Sequence, residues 1–234
     1  MLLKVCGATS RDDVALLGAA GADLIGLWYG VPGGPADLSL SRFAALAEAC
    51  RTAEVAAARP APDPMLVTFL RDPDAILDAA RTAGVRWLQL HGYQPPGVVA
   101  ALKRGWPEAT VVKVLHVTGD ACVERPLLAS YERAGTDVFL FDATSAAGRV
   151  GSTGLSLDSD VVIDLAEATT RPFLVAGGIS VANRSRYEKV VAHPRFVGVD
   201  VDTAARDQTG AFCADSVSSI RHHWCAVPDV EEVA

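Results

Sequence analysis

The chain has 234 residues, half of them hydrophobic, and a formal net charge of −7 at neutral pH. That acidic balance argues against general nucleic-acid binding, because a phosphate backbone needs a basic face, but a local pocket of opposite sign still leaves room for a small anionic substrate. The mean hydropathy of +0.24 is high for a soluble protein, yet no apolar run reaches the roughly 18 residues of a membrane span and no basic-then-apolar leader opens the chain, so a cytoplasmic protein with no membrane partner is expected.

The predicted elements alternate strand and helix from the first residue onward. Leu2 to Val5 reads as a strand. The next stretch, Thr9 to Gly21, places Val14, Leu16, Leu17 and Ala20 on one helical face, and Ser10 with Asp13 resembles a capping box. Asp23 to Leu27 is a second apolar run, followed by a Gly/Pro loop through Ala36 and a helix over Leu40 to Arg51. Ala53 to Pro64 is rich in Ala and Pro and reads as a loop within one domain. Strands are then predicted over Met65–Leu70, Val85–Leu90, Val111–Leu115, Val138–Phe141, Phe173–Ala176 and Phe196–Val199. Helices alternate with them over Pro73–Thr82, Pro96–Arg104, Glu124–Arg133, Ser159–Ala168, from Val181, and over Gly210–His222. About eight such units, with short continuous apolar strands, predict a single α/β domain over residues 1–225. The expected architecture is a closed (β/α)8 TIM barrel, with an acidic tail over 226–234. A doubly wound open sheet is the alternative.

In such a barrel the chemistry sits at the C-terminal ends of the strands. Cys6, His91, His116, Asp142, Gly177, Gly178 and Asp200 to Thr203 all fall there. The five cysteines are odd in number and irregular in spacing, with no C-x-x-C, so neither a zinc site nor a redox pair is indicated. Four of them read as small buried hydrophobes. Cys6 differs because it ends an apolar run, as Asp142 does, and a thiol and a carboxyl on one barrel face can move protons. Lys4 lies two residues before Cys6 and points the same way. Trp28 and Tyr29 follow the second strand, as a stacking surface or as core.

Several motifs occur together in order: Lys4-Val5-Cys6-Gly7, Leu88-Gln89-Leu90-His91-Gly92, the strand ending in Asp142, Gly151-Ser152-Thr153-Gly154, and Val175-Ala176-Gly177-Gly178. With these the chain resembles the phosphoribosylanthranilate isomerase family, (β/α)8 enzymes of tryptophan biosynthesis. The resemblance implies an Amadori rearrangement, in which an aldose amine becomes an aminoketose. It makes Asp142 the acid that opens the furanose and Cys6 the base that takes the C2′ proton, with Gln89, His91, Arg149, Gly177, Gly178, Asp202 and Thr203 around the substrate. No metal or organic cofactor is implied, since the chemistry is acid–base. The acid must hold a proton near neutrality although a free Asp titrates at about 4, and Phe139 and Phe141 are the expected apolar surround that would favour this. The base needs a nearby positive charge, which Lys4 can supply.

Three positions depart from the family pattern. The loop Gly30-Val31-Pro32-Gly33-Gly34-Pro35-Ala36-Asp37 lacks the arginine that holds the anthranilate carboxylate in the family. Asp202 stands where a serine is expected beside the phosphate, and a carboxylate about 5 Å from a phosphate costs on the order of 3 kcal/mol per charge pair at an effective dielectric of about 20, unless Arg206 compensates. Leu155 replaces a polar residue after Gly154, which leaves Arg149 as the unassigned cation near the Asp142 loop. These departures favour an altered glycosylamine of specialised metabolism, while phosphoribosylanthranilate remains the most nameable substrate. Alternatives are a lyase or epimerase using the same pair, and an inactive binding protein. Monomer and homodimer both remain open.

Overall fold

The structure, a computed structural model, describes residues 1–53, 55, 59–144 and 156–225. Arg149, the Gly151–Gly154 motif, Leu155 and the 226–234 tail lie outside the described residues.

Short apolar runs separated by helices can bury both strand faces only as a parallel sheet covered on its outside. The chain does this with β1 (Leu2–Cys6), β2 (Leu24–Trp28), β3 (Asp63–Thr68), β4 (Trp87–Leu90), β5 (Thr110–Thr118), a two-residue β6 (Ala121–Cys122), β7 (Val138–Ala143), β8 (Phe173–Val175) and β9 (Phe196–Val201). All neighbours except β6 pair in parallel, β9 returns to β1, and β4 pairs with β5 to complete the ring. The result is a closed eight-stranded (β/α)8 barrel, with β6 an antiparallel hairpin partner at the end of β5. Its helices are α1 (Arg11–Ala19), α2 (Leu40–Arg51), α3 (Pro73–Ala83), α4 (Pro96–Gly105), α5 (Leu128–Ala134), α6 (Ser159–Glu167), α7 (Glu188–Val191) and α8 (Ala214–Cys225). None of the described helices is long and apolar enough to cross a membrane.

The expected capping box is present. Asp13 N–H donates to Ser10 Oγ at 3.0 Å, and Ser10 N–H donates to Asp13 Oδ2 at 2.9 Å. Three elements differ from the sequence pattern. The helix expected from Glu124 opens with a 3-10 turn, Arg125–Leu127. The helix expected from Val181 is mostly 3-10, Val181–Tyr187, held by Asn183, whose side chain donates to Gly178 O and Ser156 Oγ. The last helix starts at Ala214, because Asp207 accepts from the N–H groups of Thr209 and Ala211 and folds residues 207–211 into a turn.

Strand alternation divides the buried residues into two cores. Leu24, Met65, Val112, Val114, Leu140 and Leu174 pack together inside the barrel. Leu3, Val5, Ile25, Leu27, Leu88, Leu90, Phe139 and Phe141 belong to the larger core between strands and helices. This corrects one expectation. Phe139 and Phe141 alternate with Leu140 and Asp142, so they face the helices, where Phe141 stacks on Phe173 at 5.0 Å. They do not surround the Asp142 carboxyl.

One glycine sets the alternation of the last strand. Phe173 pairs with Phe196, but the next residue, Leu174, pairs with Gly198, so Val197 is skipped as a bulge. Val197 packs on the inner core and Val199 on the outer one, which turns Asp200 inward. A Cβ on Gly198 would lie 2.0 Å from Leu2 O. Gly198→Ala is therefore expected to destabilise the fold by more than about 1 kcal/mol, read as a lower urea midpoint with an unchanged slope.

A second buried charge sits outside the barrel wall. Lys113 is fully buried, donates to Gly92 O at 2.7 Å and Val114 O at 2.6 Å, and lies 3.8 Å from Glu124. Burial pushes its ammonium down to about 8, against the pull of Glu124. Between about pH 8 and 10 the unfolded chain holds a proton that folded Lys113 has lost, so this group's contribution to stability rises with pH. Compared with wild type, Lys113→Met is expected to remove a rise of roughly 1 kcal/mol per pH unit over that window, measured by chemical denaturation across pH.

Candidate active site

β1 delivers two reactive side chains to the barrel interior. Lys4 and Cys6 point inward together, and the register places Lys4 opposite Asp200 on β9 and Cys6 opposite Gly26 on β2. Gly26 makes the room. A Cβ there would lie 2.8 Å from Cys6 Sγ and 3.1 Å from Lys4 Nζ. Lys4 has no solvent exposure, and its Nζ donates to Asp200 Oδ2 at 2.7 Å. Burial works against the Lys4 charge, but Asp200 and Cys6 outweigh it and hold the ammonium above its ordinary range. Burial raises Asp200, and Lys4 offsets part of that rise. Asp200 Oδ1 is buried and has no hydrogen-bond partner among the described residues.

The thiol of Cys6 is nearly buried. Its sulfur accepts a hydrogen bond from Trp28 Nε1 at 3.1 Å. Burial pushes the thiol up to about 12. Lys4 and the Trp28 N–H pull downward, while Asp200 and Asp202 push further up.

Across the cavity, β7 brings Asp142 to the same mouth. Its Oδ2 lies 3.4 Å from His91 Nε2. Gln89, two residues before His91, donates from its amide to His91 Nδ1 at 2.8 Å. With Nδ1 an acceptor, the proton of a neutral ring sits on Nε2, the nitrogen nearest Asp142. Next to it, His116 donates to His91 O at 2.9 Å from Nε2 and meets Glu124 Oε1 at 2.6 Å through Nδ1. His116 is thereby committed to bracing His91 rather than to lining the cavity.

Cys6, Trp28, His91, Asp142, Gly177, Gly178, Asp200, Asp202, Thr203 and Ala204 line one cavity, whose empty space up to the open mouth is about 520 Å³. Gly177 and Gly178 have φ of +82° and +57°, the left-handed region where a side chain is strained. Among the described residues, no group accepts from the N–H of Gly177, Gly178, Thr203 or Ala204. Four N–H groups at one end of a cavity make a setting for an anion.

Asp202 is not a bare charge beside that anion end. Arg206 Nε donates to its Oδ1 at 2.7 Å, and the same guanidinium donates to Gly7 O at 3.2 Å and Gly210 O at 3.0 Å while lying 3.8 Å over the Phe212 ring. Gly7 permits this approach. Its φ is +90°, and a Cβ would lie 3.0 Å from Arg206 Nη2. In the loop after β2, Asp37 Oδ1 accepts from Val31 N–H at 3.0 Å, and Arg42 beyond it is spent on Thr9 O.

Of the residues expected at the site, Cys6, Asp142, His91, Gly177, Gly178, Asp202 and Thr203 come together at this cavity. Gln89 lies behind it as the partner of His91. Two residues had weaker sequence signals. Asp200 lies in a Val-Asp-Val-Asp run whose inward members cannot be told apart until the Gly198 bulge is seen. The tie from Trp28 to the sulfur follows only from strand register. Among the described residues, no three His, Cys, Asp or Glu side chains gather to hold a metal ion.

A family model for N-(5'-phosphoribosyl)anthranilate isomerase matches residues 40–212. The N-(5'-phosphoribosyl)anthranilate isomerase of Afipia carboxidovorans is 32% identical over 220 residues, covering 93% of this chain and 86% of that one. The crystal structure of phosphoribosyl anthranilate isomerase from Thermus thermophilus superposes with a TM-score of 0.73 at 26% identity, over 95% of this chain and 98% of that one. A phosphoribosyl anthranilate isomerase solved in complex with reduced 1-(o-carboxyphenylamino)-1-deoxyribulose 5-phosphate shares the fold, with a TM-score of 0.68 at 20% identity over 95% of this chain and 98% of that one. The chain belongs to the N-(5'-phosphoribosyl)anthranilate isomerase family and is an enzyme of the intramolecular oxidoreductase class.

Proposed function

We propose that the chain catalyses the Amadori rearrangement of phosphoribosylanthranilate, or of a ribosylamine altered at its aglycone, with Asp142 as general acid and Cys6 as general base. One observation carries the reading. A sulfur and a carboxyl line the same cavity, and that cavity ends in four N–H groups suited to a phosphate.

In this reading Asp142 gives its proton to the furanose ring oxygen. The C1′–O bond breaks as the nitrogen lone pair forms C=N, and the ring opens to a Schiff base. Cys6 as thiolate then takes the C2′ proton, and the electron pair left behind forms the enolamine. Tautomerisation moves the enol proton to C1′ and leaves the ketone. His91 orients Asp142 and is itself held by Gln89. Gly177, Gly178 and Thr203 supply N–H donors to the phosphate, and Asp200 Oδ1 takes a substrate hydroxyl.

Burial keeps Cys6 a thiol at rest, so the base form has to be generated within the site. Lys4 touches both Cys6 and Asp200. An ammonium in that place can pass a proton to Asp200 and accept one from the sulfur, which makes the thiolate without moving net charge out of the barrel. Arg206 neutralises Asp202 and so reduces the repulsion of a phosphate there. The loop 30–37 holds no basic side chain, which favours an altered aglycone and a role in specialised metabolism. The Asp202 carboxylate at the anion end favours a second reading, in which the same pair acts as a lyase or epimerase on a substrate with less negative charge.

The test is loss of phosphoribosylanthranilate fluorescence. Cys6→Ser and Asp142→Asn are each expected to lower kcat by about 10²- to 10⁴-fold while substrate still binds. Wild type without turnover, yet with saturable binding of another small molecule, would move the reading to the second class. Asp202→Ser removes a carboxylate from the anion end and leaves Arg206 unopposed, so KM for the phosphorylated substrate is expected to fall about tenfold, measured by steady-state kinetics at fixed ionic strength.

A further inference from the structure

We infer that Trp28 is a positioning residue for the base, its indole N–H holding the Cys6 sulfur as a hydrogen-bond acceptor in the attitude from which it takes the proton. The inference rests on the reading of Cys6 as base and goes beyond it.

The sulfur has a fixed role in this contact. An indole N–H only donates, so at 3.1 Å the sulfur must be the acceptor. A thiolate accepts more strongly than a thiol, so the contact favours the form that abstracts a proton. Among the described residues, the charged or titratable groups that face the sulfur are Lys4 on its own strand, Asp200 on β9, Asp202 just after β9, and His91 and Asp142 across the cavity. Asp200 and Asp202 oppose a thiolate. Lys4 favours it but is shared with Asp200. Trp28 is the donor whose contact with the sulfur no carboxylate shares.

The ring is also held in place. Trp28 ends β2, where Gly26 and Trp28 both point inward and Gly26 leaves the space in which the sulfur sits. Trp28 O accepts from Leu38 N–H at 2.9 Å, and the residue bridges to Asp37, so the loop after β2 pins its backbone. Trp28 lines both the reaction cavity and a neighbouring groove bounded by Gly7, Thr9, Ala36 and Arg206. It can therefore hold the sulfur without blocking the substrate.

The experiment replaces Trp28 with phenylalanine and, separately, with β-(3-benzothienyl)alanine, which keeps the bicyclic shape and lacks the N–H. Two readouts are taken. One is the rate of Cys6 alkylation by iodoacetamide at a fixed pH of about 8, followed by peptide mapping so that the other four cysteines do not interfere. The other is kcat and KM for phosphoribosylanthranilate. Both variants are expected to lower the alkylation rate about tenfold and kcat about tenfold, with KM nearly unchanged. A benzothienyl variant alkylated at the wild-type rate overturns the inference, whatever the phenylalanine variant does, because the ring would then act only as a wall. A lowered rate together with full turnover by Cys6→Ser overturns the base assignment instead and leaves the Trp28–sulfur contact standing.

Discussion

A lysine ammonium without solvent exposure lies inside the barrel, 2.7 Å from the carboxylate of Asp200. Taking two charges out of water is costly, and their mutual attraction repays it only with close geometry. The barrel supplies that geometry through strand register. Lys4 and Asp200 are cross-strand neighbours on β1 and β9, and the Gly198 bulge turns Asp200 inward. Gly26 leaves space for the lysine head and the neighbouring sulfur. A barrel closed between its first and last strands thus places a charged pair at its seam, and the candidate chemistry lies directly above that pair.

The pair acts on the sulfur in opposite directions, Lys4 drawing the thiol down and Asp200 pushing it up, beneath a larger effect of burial. Burial pushes the thiols of both Cys6 and Cys50 up to about 12. What distinguishes Cys6 is company. It has a lysine beside it, an indole donor above it and an open cavity in front of it. Opposite, Asp142 faces His91, and the two phenylalanines that precede it on β7, Phe139 and Phe141, belong to the outer core. The polar groups therefore form a single layer at the C-terminal mouth, and the apolar side chains fill the barrel below and the shell around it.

At the anion end the chain combines features that pull in opposite directions. Gly177, Gly178, Thr203 and Ala204 offer backbone donors, which need no particular side chain and suit any anion. Asp202 adds a negative charge to the same wall, and Arg206 neutralises it while stacking on Phe212. The neutralised pair, and a β2–α2 loop that uses its own carboxylate to close on itself, give this mouth a different charge pattern from one lined by free cations.

The amino-acid sequence by itself determined the alternation of strand and helix, the barrel, the Ser10–Asp13 cap and the gathering of Cys6, His91, Asp142 and the glycine pair at strand ends. All of these follow from local periodicity and from the rule that parallel barrels work at one rim. Only the tertiary structure decided which faces meet. It turned Phe139 and Phe141 away from Asp142, brought Asp200 inward by skipping Val197, paired Asp202 with Arg206 and set the Trp28 N–H on the Cys6 sulfur. The physical reason is that a strand's two faces differ by one residue of register, and register is fixed by neighbouring strands distant in sequence: β1 meets β9 nearly two hundred residues later. A single bulge reverses which side chains see the cavity, and no local pattern in Phe196-Val197-Gly198-Val199 announces it.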